Sequence, residues 1–447
     1  MARFVFAFCF TLVFNAALAG DFEDGVSAFD RKDYATALAK FRSAAQQGST
    51  QAQINLGLMY ENGQGVAQDY KEAAHWFQLA AEQGRSYAQV ALGAMYGEGK
   101  GLAKDYKEAV RWFALAAQQG SAQGQYNLGI MYANGQGVAK DYKEAVRWFK
   151  LAAQQGYAQG QYNLGVMYNQ GHGVAQDHKE AVRWYTLAAQ QGYAEAQSNL
   201  GTMYANGQGV AQDYKEAVRW LQLAAKQGIA EAQNNIAKMY IDGLGVAQDY
   251  KEAVRWYHLA AAQGNAYAQT NLALMYGDGL GVAQDYKEAV RWYQLAAEQG
   301  VPQAQYNLGV SYGQGQGVVR DYKEAVRWYL LAARQGHAGA QYNLAVMYDV
   351  GQDVAQDYKE AVRWYRLAAL QGNANAQNNL GVMYVLGRGS ARDNIRAYMW
   401  FNIAAFGGNK TGIKGRDLVA SRMTAQQITQ AQRMARECMA SNFTKCD

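Results

Sequence analysis

Apolar positions recur with a helical period along most of the chain, and residues 106–117 show the pattern clearly. The apolar positions in this segment are Tyr106, Ala109, Val110, Phe113, Ala116 and Ala117. They are three or four residues apart and so lie on one face of a helix, while Lys107, Glu108 and Arg111 lie on the opposite face. The pattern predicts an amphipathic helix with one face buried and one face in solvent.

The ends of this helix are marked by residues typical of helix caps. Asp105 stands at the N-cap position and Glu108 follows three residues later, while Gly120 predicts a left-handed stop. A second helical segment runs from Ala122 to Tyr132, and a glycine-rich stretch at 135–138 separates it from the next amphipathic segment. The sequence therefore predicts a helix–turn–helix unit.

This unit repeats with a period of 36 residues. All ten tryptophans follow that step: Trp76, Trp112, Trp148, Trp184, Trp220, Trp256, Trp292, Trp328, Trp364 and Trp400. One helix pair is too small to bury its own apolar stripe, so neighbouring pairs have to stack. We therefore predict an all-α solenoid of tandem 36-residue repeats, wound into a right-handed superhelix.

The repeated motifs A-x-x-Q-Y-N-L-G-x-M-Y, G-x-G-V and D-Y-K-E-A-V-R-W resemble the Sel1-like repeat, a long-turn relative of the tetratricopeptide repeat. The resemblance covers ten units at 49–408. Residues 20–48 resemble a shorter tetratricopeptide-like capping repeat, with Lys40 where later units have Trp. Residues 409–447 are expected to form a C-terminal capping helix and tail, with Thr424 and Gln427 as a capping box.

The first 19 residues have the three parts of a cleavable signal peptide: Arg3, an apolar run at 4–14, and Ala17-Leu18-Ala19. We therefore expect a periplasmic or secreted protein without membrane insertion after cleavage. An oxidising compartment would allow Cys438 and Cys446 to pair, although two unlinked thiols remain the alternative.

Composition gives little support for catalysis or nucleic-acid binding. The 42 basic and 37 acidic residues are interleaved, so no basic surface for nucleic acid is predicted. The five histidines lack metal-ligand spacing, and the Gly-x-Gly turns lack the Lys-Ser/Thr of a phosphate loop. We expect no enzymatic activity, no metal and no cofactor.

In solenoids of related repeats the first helices line the concave surface, so the resemblance implies that polar positions of these helices bind partners. One column is almost entirely asparagine: Asn55, Asn127, Asn163, Asn199, Asn235, Asn271, Asn307, Asn343 and Asn379. The position before it varies and carries two tyrosine pairs, Tyr126 with Tyr162 and Tyr306 with Tyr342, which we expect to face outward. The asparagines either bind an extended peptide or hold neighbouring repeats in register, and both roles remain open.

These observations predict an exported scaffold that binds a protein or peptide through its concave face, in envelope signalling or complex assembly. A secreted binder of a host glycoprotein is a second hypothesis. A third is β-lactamase or penicillin-binding activity, as described for cysteine-rich relatives. The third is weakened because those relatives carry a cysteine pair in every repeat, which this chain lacks.

Overall fold

The computed structural model describes residues 20–446, and the predicted signal peptide at 1–19 lies outside them. The described residues form helices and turns without a strand, in two compact units divided between Ala224 and Ala225. The prediction of an all-α fold of tandem 36-residue helix pairs is confirmed in each unit.

The helices of the N-terminal unit, whose last helix contains the boundary, are α1 (20–30), α2 (Tyr34–Gln46), α3 (Thr50–Asn62), α4 (Tyr70–Glu82), α5 (Ser86–Glu98), α6 (Tyr106–Gln118), α7 (Ala122–Asn134), α8 (Tyr142–Gln154), α9 (Ala158–Gln170), α10 (His178–Gln190), α11 (Ala194–Asn206) and α12 (Tyr214–Lys226). From α3 onward, odd-numbered helices are the first helices of repeats and even-numbered helices are the second.

The helices of the C-terminal unit are α13 (Ala230–Asp242), α14 (Tyr250–Ala262), α15 (Ala266–Asp278), α16 (Tyr286–Glu298), α17 (Pro302–Gln314), α18 (Tyr322–Arg334), α19 (Ala338–Val350), α20 (Tyr358–Ala369), α21 (Ala374–Leu386), α22 (Asn394–Phe406), α23 (Lys410–Ala420) and α24 (Ala425–Ala440). The last two follow the final helix pair.

Caps fix the ends of the helices in each repeat. The Asp105 carboxylate accepts hydrogen bonds from the backbone N–H groups of Lys107 at 2.8 Å and Glu108 at 3.2 Å, as predicted for an N-cap. The first helix α7 ends at Gly135, which adopts φ +70°. A Cβ at Gly137, two residues later, would overlap the carbonyl of Tyr106 in the preceding second helix. Glycine in the turn therefore lets consecutive repeats approach closely.

Small residues and aromatic rings form the core between helices. A Cβ at Gly129 would lie 2.7 Å from the Phe149 ring, so the glycine lets the ring pack directly against the first helix. Trp148 packs against the preceding cluster, which contains Phe113 and Leu128. Each second-helix tryptophan position therefore covers the core of a neighbouring repeat, which explains the strict 36-residue period.

A buried glutamine connects each repeat to the preceding one and is paired with an exposed glutamine of its own repeat. Gln125 Nε2 donates to the Ala117 carbonyl at 3.4 Å, and Gln125 Oε1 accepts from Gln155 Nε2 at 2.7 Å. Equivalent pairs recur 36 residues apart in both units, for example Gln335 with Gln305 at 2.9 Å. Because a buried amide is costly to leave without partners, the hydrogen bond from Gln125 to Ala117 fixes the register between repeats, and the paired glutamine satisfies the other end of the Gln125 amide.

The outer side of the second helices is charged and solvated. Arg111 lies over the Trp112 ring, 4.8 Å from its centroid, and pairs with Glu108 at 2.9 Å. Exposed pairs of this kind add little stability. They cover the edge of an otherwise apolar tryptophan.

The two ends of the chain are closed differently from the repeats. At the N-terminal end Lys40 contacts Asp21 and Asp24, each at 2.8 Å. Two helices follow the last repeat, where the sequence predicted a single capping helix. Thr424 and Gln427 form the predicted capping box at the start of α24.

A disulfide joins Cys438 to Cys446, and both residues are buried. It fixes the C-terminal tail to α24. No helix in the described part of the chain carries an apolar run long enough to cross a membrane.

Candidate partner-binding face

The candidate site is the surface formed by the first helices of consecutive repeats, here called the first-helix face. In α7, buried Gln125, Leu128 and Gly129 hold the helix against its neighbours, whereas Tyr126 and Asn127 are half-buried. All the asparagines and tyrosines predicted to bind a partner have this intermediate exposure. The face is therefore accessible, but its side chains also take part in packing.

The expectation that the four tyrosines face outward is wrong, because each ring packs against an aromatic residue of the following second helix. Ring centroids lie 6.1 Å apart for Tyr126 and Phe149, and 5.8 Å for Tyr162 and Tyr185. In the C-terminal unit, Tyr306 is 6.1 Å from Tyr329, and Tyr342 is 6.1 Å from Tyr365. One side of each ring is therefore used by the fold.

The asparagine column, here called the ladder, includes two unengaged amides in the N-terminal unit. Among residues 20–446, no group hydrogen-bonds the side chain of Asn55 or Asn127. Asn163 Nδ2 donates to the Gln159 carbonyl at 2.9 Å, within its own helix. Asn199 hydrogen-bonds the Tyr185 hydroxyl of the preceding second helix.

The ladder of the C-terminal unit makes contacts within the protein at every position. Asn235 Oδ1 accepts from Asn234 at 3.2 Å, and Asn271 Nδ2 donates to Asn234 Oδ1 at 3.2 Å. Asn307 Oδ1 accepts from Gln303 Nε2 at 3.0 Å. Further along, Asn343 hydrogen-bonds the hydroxyl of Tyr329. The Asn234–Asn235 and Gln303–Asn307 hydrogen bonds lie within one helix, whereas those of Asn271 and Asn343 join two helices, which is the kind of contact that the register hypothesis requires.

The best-defined ladder contact is a three-residue chain in the last repeats. Asn379 Nδ2 donates to the Tyr365 hydroxyl at 3.1 Å, and that hydroxyl donates to Asp349 Oδ2 at 3.3 Å. Burial raises the pKa of Tyr365, and the hydrogen bond from Asn379 opposes the rise. The phenol is therefore neutral and able to donate and accept at the same time.

Burial has the same effect on the equivalent tyrosines of the C-terminal unit. It raises the pKa of Tyr329 to about 12, and it raises the pKa of Tyr257 and Tyr293, with Asp242 and Asp278 adding to the rise. The hydroxyl of Tyr329 is a fixed hydrogen-bonding group for Asn343. The sequence analysis did not identify this role.

Two further aromatic residues lie beside the predicted tyrosines in the N-terminal unit. Tyr157 is 5.4 Å from Tyr126, and Tyr193 is 5.1 Å from Tyr162, between ring centroids. Both added residues occupy the N-cap position of a first helix, where Ser121 stands in the repeat before. Variation at this position is the signal that could have identified them, since the same argument identified the tyrosine column.

The C-terminal unit has an open cavity of about 250 Å³ at a departure from the repeat pattern. Ser311 stands where other repeats have a buried methionine such as Met347, and Tyr293, Asn307 and Asp278 also line the cavity. The Asn307 Nδ2 atom is buried, and the Asn307 side chain lowers the pKa of Tyr293 against the larger rise that burial causes. This cavity is an open polar recess that is lined in part by the first helices α15 and α17.

The described residues contain no group of three histidine, cysteine, aspartate or glutamate side chains placed to hold a metal ion. The groups that the first-helix face offers are amides, phenols and single carboxylates. These groups suit hydrogen bonding and ring contact with a polypeptide.

Comparisons with known proteins agree with this architecture. The Sel1 repeat profile matches ten consecutive segments: 50–84, 86–121, 122–157, 158–193, 194–229, 230–265, 266–301, 302–337, 338–373 and 374–409. A search of curated proteins finds no match.

Two solved structures are similar over much of their length. One is a protective antigen of uropathogenic Escherichia coli with an SLR fold, at 37% identity and TM-score 0.86, covering 95% of this chain and 93% of that one. The other is a Sel1 repeat protein from Oxalobacter formigenes, at 35% identity and TM-score 0.53, covering 68% of this chain and 88% of that one.

Proposed function

The chain belongs to the Sel1 repeat family, and from this premise we propose that it is an exported scaffold that binds an extended segment of a partner protein on its first-helix face. Tandem helical repeats present long surfaces of this kind without any catalytic group. The family and the repeat architecture support a role in protein–protein interaction. We assign the chain no enzymatic activity.

The observation that carries this proposal is the pair of unengaged amides at Asn55 and Asn127. An asparagine side chain has both a donor and an acceptor, and so matches the N–H and C=O of an extended peptide backbone. Two half-buried tyrosines, Tyr126 and Tyr162, lie on the same unit and supply aromatic contact area. Backbone hydrogen bonds and ring contacts together suit a polypeptide better than a small metabolite.

We further propose that the protein acts outside the cytoplasm, in envelope signalling or in assembly of an envelope complex. The sequence at 1–19 supports export through its charged start, apolar run and Ala-Leu-Ala end. Fractionation of cells that produce the full chain tests this step. Retention of the intact precursor in the cytoplasm would contradict it.

Affinity purification from the native envelope tests the binding face. The first variant carries Tyr126→Ser and Tyr162→Ser, and the second carries Tyr306→Ser and Tyr342→Ser. Serine stands in the same column at Ser198, so the repeat tolerates it. We expect the first variant to lose partners that wild type retains. Recovery of the same partners with wild type and both variants would contradict the assignment of partner binding to the first-helix face.

A second candidate function is binding of a host glycoprotein after release from the cell. It is favoured by the likeness to a protective antigen of uropathogenic Escherichia coli. Finding the mature chain in the culture medium would favour this candidate over an envelope role. Turnover of nitrocefin by the purified protein would instead revive the β-lactamase hypothesis.

A further inference from the structure

The open cavity at Ser311 lies where the repeat pattern changes at two positions. Its volume is about 250 Å³, and residues of the three consecutive helices α15, α16 and α17 line it. One repeat earlier, Met275 and Ile241 occupy the positions of Ser311 and Gly277, two residues that line the cavity. Both changes shorten a side chain, so space is open here that longer side chains occupy in the preceding repeat.

Three hydrogen-bond acceptors from three different helices line the cavity. Asp278 of α15 contributes an exposed carboxylate, Tyr293 of α16 a buried phenol and Ser311 of α17 a buried hydroxyl. The Ser311 hydroxyl donates to the Asn307 carbonyl at 3.0 Å, so its oxygen keeps lone pairs that accept. Burial raises the pKa of Tyr293, and Asp278 adds to the rise, so the phenol is neutral. The cavity therefore offers one negative charge and two neutral oxygen atoms.

The Asp278 carboxylate does not stabilise its own helix. Asp278 is the last residue of α15, where a negative charge meets the negative end of the helix dipole. Five other repeats have a neutral amide at this position: Asn62, Asn134, Gln170, Asn206 and Gln314. The requirements of the helix therefore do not explain the carboxylate.

A repeat near the N-terminus has an acid at the same position and supplies a cation for it. There Lys100 Nζ lies 2.6 Å from Glu98 Oε2. Leu280 stands at the position of Lys100 in the repeat of Asp278. Among residues 20–446, no lysine, arginine or histidine pairs with Asp278. This carboxylate is therefore available to a cation from outside the chain.

We propose that the cavity binds a primary ammonium group, carried by a lysine side chain of a partner protein or by a free alkylamine. An ammonium has three donors on one nitrogen, which suits acceptors that come from three helices. A cavity below about 300 Å³ is smaller than most sites for drug-sized ligands and suits a group of side-chain size. The inference goes beyond the proposed function, because the cavity would bind an amine whether or not the first-helix face binds a peptide.

The test compares two small compounds that differ in charge, titrated into the purified full chain by calorimetry. Butylamine is the probe, and butan-1-ol is its neutral match of similar size. We expect butylamine to bind about tenfold more tightly, because its hydrogen bonds to Asp278 are charge-assisted. Equal affinities, or binding of neither compound, would overturn the proposal. Tighter binding of propylguanidine than of butylamine would overturn the choice of an ammonium group.

A peptide pair identifies the source of the ammonium group. Acetyl-Ala-Lys-Ala-amide is compared with the same peptide that has norleucine in place of lysine. Tighter binding of the lysine peptide than of butylamine would assign the site to a protein side chain, and the reverse order would assign it to a free amine. Either order supports the proposal when the neutral match binds more weakly, and equal binding of the two peptides and of the two small compounds contradicts it.

The variants use residues that the chain itself has at the same repeat positions. Ser311→Met copies Met275, fills the cavity and should abolish butylamine binding. Asp278→Asn copies Asn206, removes the charge and should weaken binding about tenfold. The matched control is Asp242→Asn, which removes the equivalent carboxylate beside Met275, where the cavity position is filled, and should bind like wild type.

Circular dichroism confirms that each variant is folded. Undiminished butylamine binding by the folded Ser311→Met variant would show that the amine binds elsewhere. Equal losses in Asp278→Asn and Asp242→Asn would show that binding follows the overall charge rather than the cavity, and would also overturn the proposal. Capture of envelope partners by the Tyr126→Ser, Tyr162→Ser variant tests the first-helix face separately, so a failed amine titration contradicts only the cavity site.

Discussion

The second helices of the two units present different side chains to the ladder. In the N-terminal unit, Phe41 and Phe113 lie fourteen residues before Asn55 and Asn127, the two amides without a partner. In the C-terminal unit, Tyr329 and Tyr365 occupy the same position and hydrogen-bond the ladder residues that follow them. A single oxygen atom thus separates these occupied amides from the two available ones, whereas Asn163, which follows Phe149 by fourteen residues, is engaged by Gln159 and Tyr126 instead.

This difference assigns the two proposed roles of the ladder to different parts of the chain. Where tyrosine lies beneath it, the asparagine connects one helix to the next and serves the register of the repeats. At Asn55 and Asn127, where phenylalanine lies beneath the asparagine, the amide is left for another molecule. The ring pairs Tyr126–Tyr157 and Tyr162–Tyr193 belong to the N-terminal unit as well.

The largest expected effect comes from removing the ring itself in each unit. Phe113→Ala and Tyr329→Ala should each lower local stability by about 3–5 kcal/mol, because both rings are buried against a first helix. Tyr329→Ala should cost about 1 kcal/mol more, since Asn343 then loses its acceptor. Hydrogen exchange of the flanking helices in the full chain measures both losses. Equal losses would show that the hydroxyl contributes nothing to the difference between the units.

Removing only the hydroxyl isolates that contribution. Tyr365→Phe should lower local stability by about 1–2 kcal/mol, because Asn379 loses an acceptor and Asp349 loses a donor. Tyr185→Phe is the matched variant, since Tyr185 has the same contact to its ladder residue but lies in the N-terminal unit. Hydrogen exchange should show a loss there too. A loss confined to the C-terminal variant would mean that position in the chain matters more than the contact.

Alkaline pH provides a smaller and independent measure of the buried hydroxyls. The folded pKa of Tyr329 is about 12, above the unfolded value of about 10, so its stabilising effect is complete below pH 10 and is lost as pH rises through 12. At pH 11 the loss should be about 1.4 kcal/mol. The Tyr329→Phe variant should therefore show a smaller fall in melting temperature between pH 9 and pH 11. An unchanged fall would place the titrating group elsewhere.

The sequence predicted the fold in detail because each local feature of the helix pair recurs in ten repeats. Ten copies of one pattern fix the helix pair, the caps such as Asp105 and the close approach at Gly129. Each of these depends on contacts within one repeat or its immediate neighbour. Such contacts have a constant spacing and can be predicted from one unit.

The site was predicted only in part. Whether a given asparagine or tyrosine is engaged depends on contacts with side chains of another helix. The asparagine column is visible in the sequence, but the engagement of Asn343 and Asn379 depends on a tyrosine hydroxyl fourteen positions earlier, and Asn163 is engaged within its own helix instead. The outward tyrosines were mispredicted for a related reason: Phe149 and Tyr185 reach them across the helix pair. The pattern of exposed and buried positions in a single helix does not show which side chains of the next helix reach it.

The smallest expected change in stability comes from transferring the C-terminal arrangement to the N-terminal unit. Phe113→Tyr places a hydroxyl fourteen residues before Asn127, where Tyr365 stands relative to Asn379. The new hydrogen bond should raise local stability by at most about 1 kcal/mol. Hydrogen exchange in α6 and α7 of the full chain measures this gain.

The same substitution should have a larger effect on binding, because the Asn127 amide is then occupied and no longer available to a partner. Capture of envelope partners by Phe113→Tyr should therefore fall. Phe149→Tyr is the control, since its ladder residue Asn163 already donates to Gln159 and hydrogen-bonds Tyr126. Its capture should stay near wild type. Equal capture by wild type and both variants would mean that an unengaged ladder amide is not what the partner recognises.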